Sequence, residues 1–337
     1  MGMQPPLRRL SAMTAALMCL LALPGCTSEP DPEAGPAGAA EPADAPEPTV
    51  DPAGQVTDLA SDPEGLVFDP VTGLLAVAVR DPNRLLLVDG ATGQVQTEVP
   101  LPGHARHLQL AAPGGPVLVP GEDSNELIQV ALPDGTVITT EVGDYPHDAT
   151  QVSSGQIAVA DEMGGTLSIV EDGEVIQTFD DLTQPGGLAA VGDVVAVIDV
   201  ADFSLSAYDI AAGEQVGRVP AGEGPTHLVA DNRGTLLVAD TRGDALLSFS
   251  LDPLELQSTL ALPGRPYGLA YDASRDVVWV TLTARNEVVG FDVSEGQPRE
   301  VARFPTVGQP NTVAVDPDSG RVFVVGRGTG ELQTIEF

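Results

Sequence analysis

One short sequence motif recurs seven times along the chain, at intervals of roughly forty residues. Each copy has a proline (once an alanine), two small or polar residues and an apolar strand. A second apolar strand, an Asp- or Gly-rich turn and a third strand follow. The copies begin at Pro63, Ala105, Pro146, Pro185, Pro225, Pro266 and Pro310. A repeat of this length that is built only from short strands is typical of a β-propeller with one four-stranded blade per repeat.

The first repeat shows how a blade is encoded. Residues 65–69 form a short inner strand, and residues 74–79 are nearly all apolar, as expected for a strand that neighbouring blades cover on both faces. Residues 85–89 form a third strand. Residues 94–99 alternate in polarity, which suits an outer strand with one solvated face. The chain is therefore predicted to be an all-β, seven-bladed propeller of four-stranded antiparallel blades.

The last repeat lacks one strand. It ends with residues 321–325 and 331–335, while residues 55–59 form an apolar-polar stretch before the first blade. That N-terminal strand is predicted to supply the missing outer strand and close the ring, because closure removes the open edge that would otherwise aggregate. The propeller domain is predicted to span residues 53–337.

One segment carries a family resemblance. Residues 88–95 read Val-Asp-Gly-Ala-Thr-Gly-Gln-Val, and Pro102-Gly103 leads into the next repeat. This pattern resembles the YVTN-type propeller repeat, and the resemblance extends over residues 55–337. It implies the propeller fold, and among functions it implies surface proteins, binding modules and a few enzymes. Quinoprotein and WD40 propellers are not indicated, since the only tryptophan, Trp279, stands outside their motifs.

The N-terminus has the pattern of an export signal. Arg8 and Arg9 precede an apolar stretch over residues 10–23, which is too short for a lasting membrane span. It ends in Leu23-Pro24-Gly25-Cys26, which resembles the lipobox of bacterial lipoproteins, with Pro24 at the position of the usual small residue. The resemblance implies a signal peptide over residues 1–25 and lipidation of Cys26. The alternative is an ordinary secretory signal that is cut nearby and leaves no anchor.

Residues 26–52 are rich in proline, alanine and glutamate and have almost no large apolar side chains. Such a segment cannot bury enough surface to offset the entropy of ordering, so it is predicted to be a disordered tether. The protein is thus expected to be exported and held by lipid at the outer face of the cell membrane. Its contact with the membrane would be made only through that anchor.

The chain is strongly acidic, with 49 Asp and Glu against 15 Lys and Arg, for a net charge of −34. This charge repels nucleic acids and anionic lipid head groups, which excludes both as partners. Two interpretations remain: a solubilising surface, or a surface that collects cations at a defined site.

Residues just after each repeat's first position are expected to converge on the mouth of the central channel. All four histidines of the chain fall at or beside this position, and acids in the turns between second and third strands share the same face. The candidate metal- or ligand-binding residues are Glu64, His107, His147, Asp148, His227 and Asn311.

Two interpretations of this cluster stay open. Imidazoles with carboxylates would suit a divalent cation, zinc or calcium, and a propeller that binds or delivers zinc is the alternative function. Otherwise the histidines bond to neighbouring strand ends and the acids cap turns. His107 and His227 lie about three blades apart around the ring, which favours the second interpretation.

A metal-dependent lactonase is the second alternative. Glu64 and Asn311 match the Glu and one Asn of gluconolactonase-type propellers, but Gly187 and Gly268 stand where further ligands are needed. No Gly-x-Ser-x-Gly elbow and no P-loop is present in the sequence. The sequence therefore predicts a binding or scaffold protein without catalysis, whose partner at the channel mouth is a small ligand, a metal ion or a protein.

Overall fold

The computed structural model describes residues 1–3 and 38–337. Cys26 and nearly all of the predicted signal peptide lie outside these residues. The chain divides into two compact units, Met1–Pro36 and Ala37–Phe337, and every described strand belongs to the second unit. Over the same described ranges, no helix is long and apolar enough to cross a membrane.

Seven four-stranded antiparallel sheets make up the second unit. In chain order the strands are β1 (Gln55–Asp58); β2 (Pro63–Asp69), β3 (Leu74–Val79), β4 (Arg84–Asp89) and β5 (Val95–Pro100) in blade 1; β6 (Gln109–Leu110), β7 (Val117–Gly121), β8 (Glu126–Val130) and β9 (Val137–Glu141) in blade 2; β10 (Pro146–Gln151), β11 (Ile157–Asp161), β12 (Thr166–Glu171) and β13 (Glu174–Phe179) in blade 3; β14 (Pro185–Val191), β15 (Val194–Asp199), β16 (Ser204–Asp209) and β17 (Glu214–Pro220) in blade 4; β18 (Pro225–Ala230), β19 (Leu236–Asp240), β20 (Ala245–Leu251) and β21 (Leu254–Ala261) in blade 5; β22 (Pro266–Asp272), β23 (Val277–Leu282), β24 (Glu287–Asp292) and β25 (Arg299–Pro305) in blade 6; and β26 (Pro310–Val315), β27 (Val322–Gly326) and β28 (Glu331–Ile335) in blade 7. A 3-10 turn, Thr283–Arg285, joins β23 to β24.

The predicted seven-bladed propeller is confirmed, and so is its closure. Strand β1 pairs antiparallel with β28 at the outer edge of blade 7, with Val56 opposite Gln333 and Thr57 opposite Leu332. The first and last segments of the propeller therefore share one sheet, and the ring has no free edge at its seam.

The core lies between blades rather than inside any one of them. Every residue of β3 and of β19 is buried, because the second strand of each blade is covered on both faces. Seven apolar clusters fill the seven gaps between neighbouring blades; one of them joins Leu75 and Val77 of blade 1 to Phe323 and Val325 of blade 7. Each blade is thus stabilised by its two neighbours.

Irregular backbone at the start of the inner strands positions side chains at the mouth. The pairing register shifts immediately after the first proline in β2, β10, β14, β18, β22 and β26. Bulged residues leave the ladder and are aimed away from it. Glu64, His147 and Asn311 occupy such bulges and so reach the channel mouth.

Blade 2 departs from this pattern. Its copy of the repeated sequence motif begins with Ala105, and its inner strand is reduced to the two residues of β6. The side chains of His104 and Arg106 pair instead with acids in the turn after β7. Blade 2 therefore contributes a loop to the mouth where the other blades contribute a strand end.

Candidate functional site

A cavity of about 400 Å³ occupies the central channel. It runs along the inner strands from Glu64 at the mouth to Val315 near the far end of β26. Its deeper walls are apolar and include Leu66, Leu188 and Val313. We call this space the channel cavity. Five of the six candidate residues line it: Glu64, His107, Asp148, His227 and Asn311.

Three histidines meet across the mouth. The ring centroid of His107 lies 4.4 Å from that of His147 and 4.4 Å from that of His227, with the second pair stacked at an interplanar angle of 14°. Tyr267 meets His227 edge-on at 4.3 Å. The separation expected between His107 and His227 is therefore absent, because side chains from opposite blades reach across the narrow mouth. We call His107, His147 and His227 the histidine stack.

His147, the sixth candidate, lies between two carboxylates. Its Nδ1 is 3.0 Å from Glu122 Oε1 and 3.2 Å from Glu162 Oε2. Burial alone would lower the pKa of His147, but its hydrogen bonds to Glu122 and Glu162 raise that pKa to about 10. His147 therefore carries a positive charge at neutral pH.

The other two rings of the stack are neutral. Burial and the nearby charge of His147 lower the pKa of His227 to about 3. The same two causes hold the pKa of His107 well below its usual range. A neutral imidazole can donate one hydrogen bond and accept one, so both rings offer mixed polar edges to the cavity.

Asp148 is fixed by donors on three sides. Its carboxylate accepts hydrogen bonds from the amide nitrogens of Ala149 and Leu188, both at 2.8 Å, and from Gln109 Nε2 at 3.0 and 3.1 Å. Burial raises the pKa of Asp148 to about 6, and these donors oppose the shift. Its nearest distance to His107 Nδ1 is 3.9 Å, too long for a hydrogen bond. Gln109 is not among the residues predicted from the sequence, although it lies only two residues after His107.

Glu64 is neutralised by two arginines that the sequence analysis also missed. Its carboxylate lies 2.7 Å from Arg80 Nη2 and 3.4 Å from Arg327 Nη1. Arg80 and Arg327 follow the second strands of blades 1 and 7, the same turn position that the acids of other blades occupy. That shared position could have identified them.

Among residues 38–337, Asn311 Nδ2 and His227 Nδ1 at the cavity have neither a hydrogen-bond nor an ion-pair partner, whereas Glu64 Oε2 and Arg106 Nε, which also lack a hydrogen bond, face an opposite charge. Asn311 is only 3% exposed, and its Oδ1 already accepts a bond from Gln309 Nε2 at 2.9 Å. A buried donor without a partner costs about 1–3 kcal/mol. A ligand that supplies an acceptor to Asn311 would recover that cost.

The acids in the turns after the second strands have two roles. Asp161, Asp199 and Asp240 accept backbone N–H bonds from the loops before the inner strands, as the turn-capping interpretation expects. Glu122 and Glu162 instead face His147. The turn-capping interpretation therefore describes the three aspartates, while the two glutamates hold His147.

An extended segment, residues 38–48, lies over the mouth, and we call it the strap. It belongs to the stretch expected to be a disordered tether, yet Ala40 is buried and Glu41 lies 3.6 Å from Arg106. A small pocket beneath the strap shares Arg106, His107, His227 and Tyr267 with the channel cavity. Those four residues form a layer between strap and channel.

A divalent cation fits this donor set poorly. The Nδ1 of His147 is protonated, and the carboxylate of Glu64 is engaged by two guanidinium groups. Across the part of the chain that the structure describes, no three His, Cys, Asp or Glu side chains are grouped to hold a metal ion. Metal binding, like the lactonase alternative, stays a prediction.

The comparisons with known proteins define the class of this protein: it is a β-propeller. No protein-family model matches the chain, and no curated protein sequence matches it either. The YVTN resemblance therefore supports the propeller fold without a family assignment.

Solved structures of similar fold come from several kinds of protein. Hydrazine synthase from Kuenenia stuttgartiensis is 16% identical, with a TM-score of 0.72 over 82% of this chain and 96% of that chain. A catalytically inactive H270A variant of virginiamycin B lyase from Staphylococcus aureus, solved with quinupristin, is 14% identical. Its TM-score is 0.71, and the match covers 84% of this chain and 99% of that chain. A chain of the mitotic checkpoint complex is 12% identical. Its TM-score is 0.72, and the match covers 96% of this chain and 99% of that chain. Enzymes and an assembly component thus share the fold.

Proposed function

We propose that this protein is an exported, lipid-anchored propeller of the YVTN type that binds an uncharged organic molecule in the channel cavity and releases it unchanged. The observation that carries the proposal is the buried, unpartnered Nδ2 of Asn311 at the wall of the channel cavity, whose deeper part is lined by apolar side chains. A few polar groups in an otherwise apolar cavity are typical of small-molecule sites.

The side chains around the cavity limit the chemistry of the ligand. Asn311 Nδ2 requires an acceptor such as a carbonyl or hydroxyl oxygen. His227 is neutral and can donate or accept through its unpartnered Nδ1. Asp148 lies on the same wall and disfavours an anionic ligand beside it, whereas the charge of Glu64 is offset by Arg80 and Arg327. An apolar body with carbonyl oxygens satisfies all three conditions.

The similar structures are consistent with such a ligand. The lyase structure that includes quinupristin shows that a propeller of this shape accommodates an organic compound in another protein. At 14% identity the likeness extends only to the fold. We infer binding without turnover because His147, the histidine of the stack that contacts carboxylates, does not line the channel cavity, while His107 and His227, which line it, are neutral and lie outside hydrogen-bond distance of Asp148 or have no partner at Nδ1.

The test is ligand-observed NMR with a panel of uncharged lactones, lactams and cyclic ester-amides, each paired with its carboxylate analogue. Neutral members are expected to bind saturably and more tightly than their carboxylates. Asn311→Asp keeps the Oδ1 acceptor for Gln309 and removes the free donor. We expect it to weaken binding about tenfold.

Asn83→Asp is the matched control, because Asn83 does not line the cavity. Equal binding by wild type and Asn311→Asp would overturn the proposal. Ligand recovery is followed by mass spectrometry: conversion of the ligand would support an enzyme. Binding that disappears with EDTA would support the metal alternative.

A further inference from the structure

Five hydrogen bonds join side chains of the propeller to the backbone of the strap. Arg242 Nη2 donates to Gly38 O at 2.6 Å, and Asn286 Nδ2 donates to Pro46 O at 2.7 Å. The amide of Ala43 donates to Thr283 Oγ1 at 3.1 Å. Gln309 makes the other two bonds. These contacts come from blades 5, 6 and 7, so the strap crosses three blades.

Gln309 is the centre of this contact. Its Nε2 donates to Ala43 O at 2.9 Å, and its Oε1 accepts from the Ala45 amide at 2.8 Å. One carboxamide thus pairs with the donor and the acceptor of an extended backbone, as a neighbouring strand would. Recognition of backbone groups in this way is how proteins commonly bind extended peptides.

The strap is suited to an extended shape and to the surface beneath it. Pro42, Pro46 and Pro48 restrict the backbone, which lowers the entropy cost of docking. Ala40 packs against Gly224, where an added Cβ would come within 3.0 Å of the Ala40 Cβ. The surface therefore requires a small residue on each side of that contact.

The acidic side chains of the strap also complement the arginines on the propeller surface beneath it. The strap carries Glu41, Asp44 and Glu47 and no basic residue. In a chain with a net charge of −34, the strap nevertheless lies against Arg106 and Arg242. Local positive charge on an otherwise acidic protein favours an acidic peptide at this place.

We propose that the surface formed by Arg106, Arg242, Thr283, Asn286 and Gln309 is a binding site for extended, acidic, proline-rich peptides, with the strap as its resident occupant. A free peptide of the same chemistry competes for the site with the strap. Because the strap is tethered, its effective concentration is in the millimolar range, and an outside peptide binds well only when the strap is removed. The inference does not require a ligand in the channel cavity, although the two sites share Arg106 and are linked by the bond from Gln309 Nε2 to Asn311 Oδ1.

The experiment uses the full chain with residues 38–48 replaced by a Gly-Ser segment of equal length. The probe is a fluorescein-labelled synthetic peptide of residues 38–48, followed by fluorescence polarisation. Saturable binding is expected to the Gly-Ser variant, and at least tenfold weaker binding to the wild type. Adding Gln309→Ala to the Gly-Ser variant removes the two hydrogen bonds from Gln309 to the peptide and is expected to weaken peptide binding about tenfold.

Gln257→Ala is the matched control, because Gln257 lies on the exposed outer strand β21 and bonds only to nearby groups. Circular dichroism checks that each variant is folded. Absence of saturable binding to the Gly-Ser variant would overturn the proposal, and so would equal affinity with and without Gln309.

A second measurement uses the strap in place. Hydrogen exchange at the amides of Ala43 and Ala45 is expected to be slower than at the exposed Val50, since only the first two amides are bonded to the propeller. Gln309→Ala should accelerate exchange at Ala45. Equally fast exchange at all three amides in the wild type would contradict the proposed site.

Discussion

At the scale of single residues, burial and the charge of His147 together keep the other two rings of the histidine stack neutral. His147 is held between Glu122 and Glu162, and its positive charge adds to the burial that keeps His107 and His227 neutral. The three rings can stack closely because only one of them is charged. The mouth therefore has a charged edge, formed by His147 with its two glutamates, and neutral rings, His107 and His227, that line the channel cavity.

The neutral histidines predict a dependence of stability on pH. The pKa of His227 is depressed in the folded state, so between pH 7 and pH 5 the unfolded chain binds a proton there that the folded protein does not. Stability is therefore lost as the pH falls. For a histidine with an unfolded pKa near 6.5, the loss at pH 5 is about 2 kcal/mol.

The measurement is the free energy of unfolding in urea at pH 7 and pH 5, for wild type and His227→Gln. The variant is expected to lose about 2 kcal/mol less between these pH values. Asp148, whose pKa is raised to about 6, acts in the opposite direction but is present in both proteins, so it cancels in the difference. Identical pH dependence in the two proteins would show that His227 titrates normally in the fold.

The sequence predicts which residues face the mouth, but not their distances. His107, His147 and His227 were recognisable because each follows the start of a repeat. Their contact at 4.4 Å depends on the bulges at the start of the inner strands and on the width of the ring. Neither is encoded by any local pattern, which is why the separation of the rings was overestimated.

At the scale of elements, the seam of the ring depends on one glutamine. Gln333 on β28 is fully buried; its Nε2 donates to Ala53 O at 2.7 Å and to Pro305 O at 3.0 Å, and its Oε1 accepts from the Val307 amide at 3.0 Å. It thus joins the segment before β1 to the end of β25 and the loop that follows. Gln333→Leu has a similar volume but leaves Ala53 O and the Val307 amide without this partner, while Pro305 O still accepts from the Ala53 amide at 3.0 Å.

We expect Gln333→Leu to lower the free energy of unfolding by about 3 kcal/mol, since each buried group left unpaired costs about 1–3 kcal/mol. The urea midpoint gives the measurement, with Gln257→Leu on the exposed face of β21 as control. A change below about 0.5 kcal/mol in Gln333→Leu, no larger than that of a surface substitution, would mean that the seam is held by β1–β28 pairing alone.

Closure by β1 and docking of the strap differ in how well the sequence predicts them. Residues 55–59 have a strand pattern, and the last repeat visibly lacks a strand, so the pairing was predictable. The strap has the composition of a disordered segment, and its order comes from side chains more than a hundred residues away, such as Gln309 and Asn286. Composition predicts what a segment does alone and carries no information about such partners.

At the scale of the whole molecule, the seven interblade clusters must hold together a chain with 34 more acidic than basic residues. Salt weakens repulsion between the carboxylates and also weakens attraction within the ion pairs. Exposed pairs contribute only about 0–1 kcal/mol each, and the 15 arginines limit their number. Repulsion is therefore the larger of the two effects.

Stability is accordingly predicted to rise with ionic strength. The Debye length falls from about 30 Å at 0.01 M to about 10 Å at 0.1 M, so charges on neighbouring blades stop interacting over this range. The midpoint of thermal unfolding is expected to increase by a few degrees between 0.01 and 0.5 M NaCl, and choline chloride should have the same effect because screening is independent of the cation. An increase with sodium alone would indicate a specific cation site on the acidic surface, whereas a decrease with both salts would show that the ion pairs outweigh the repulsion.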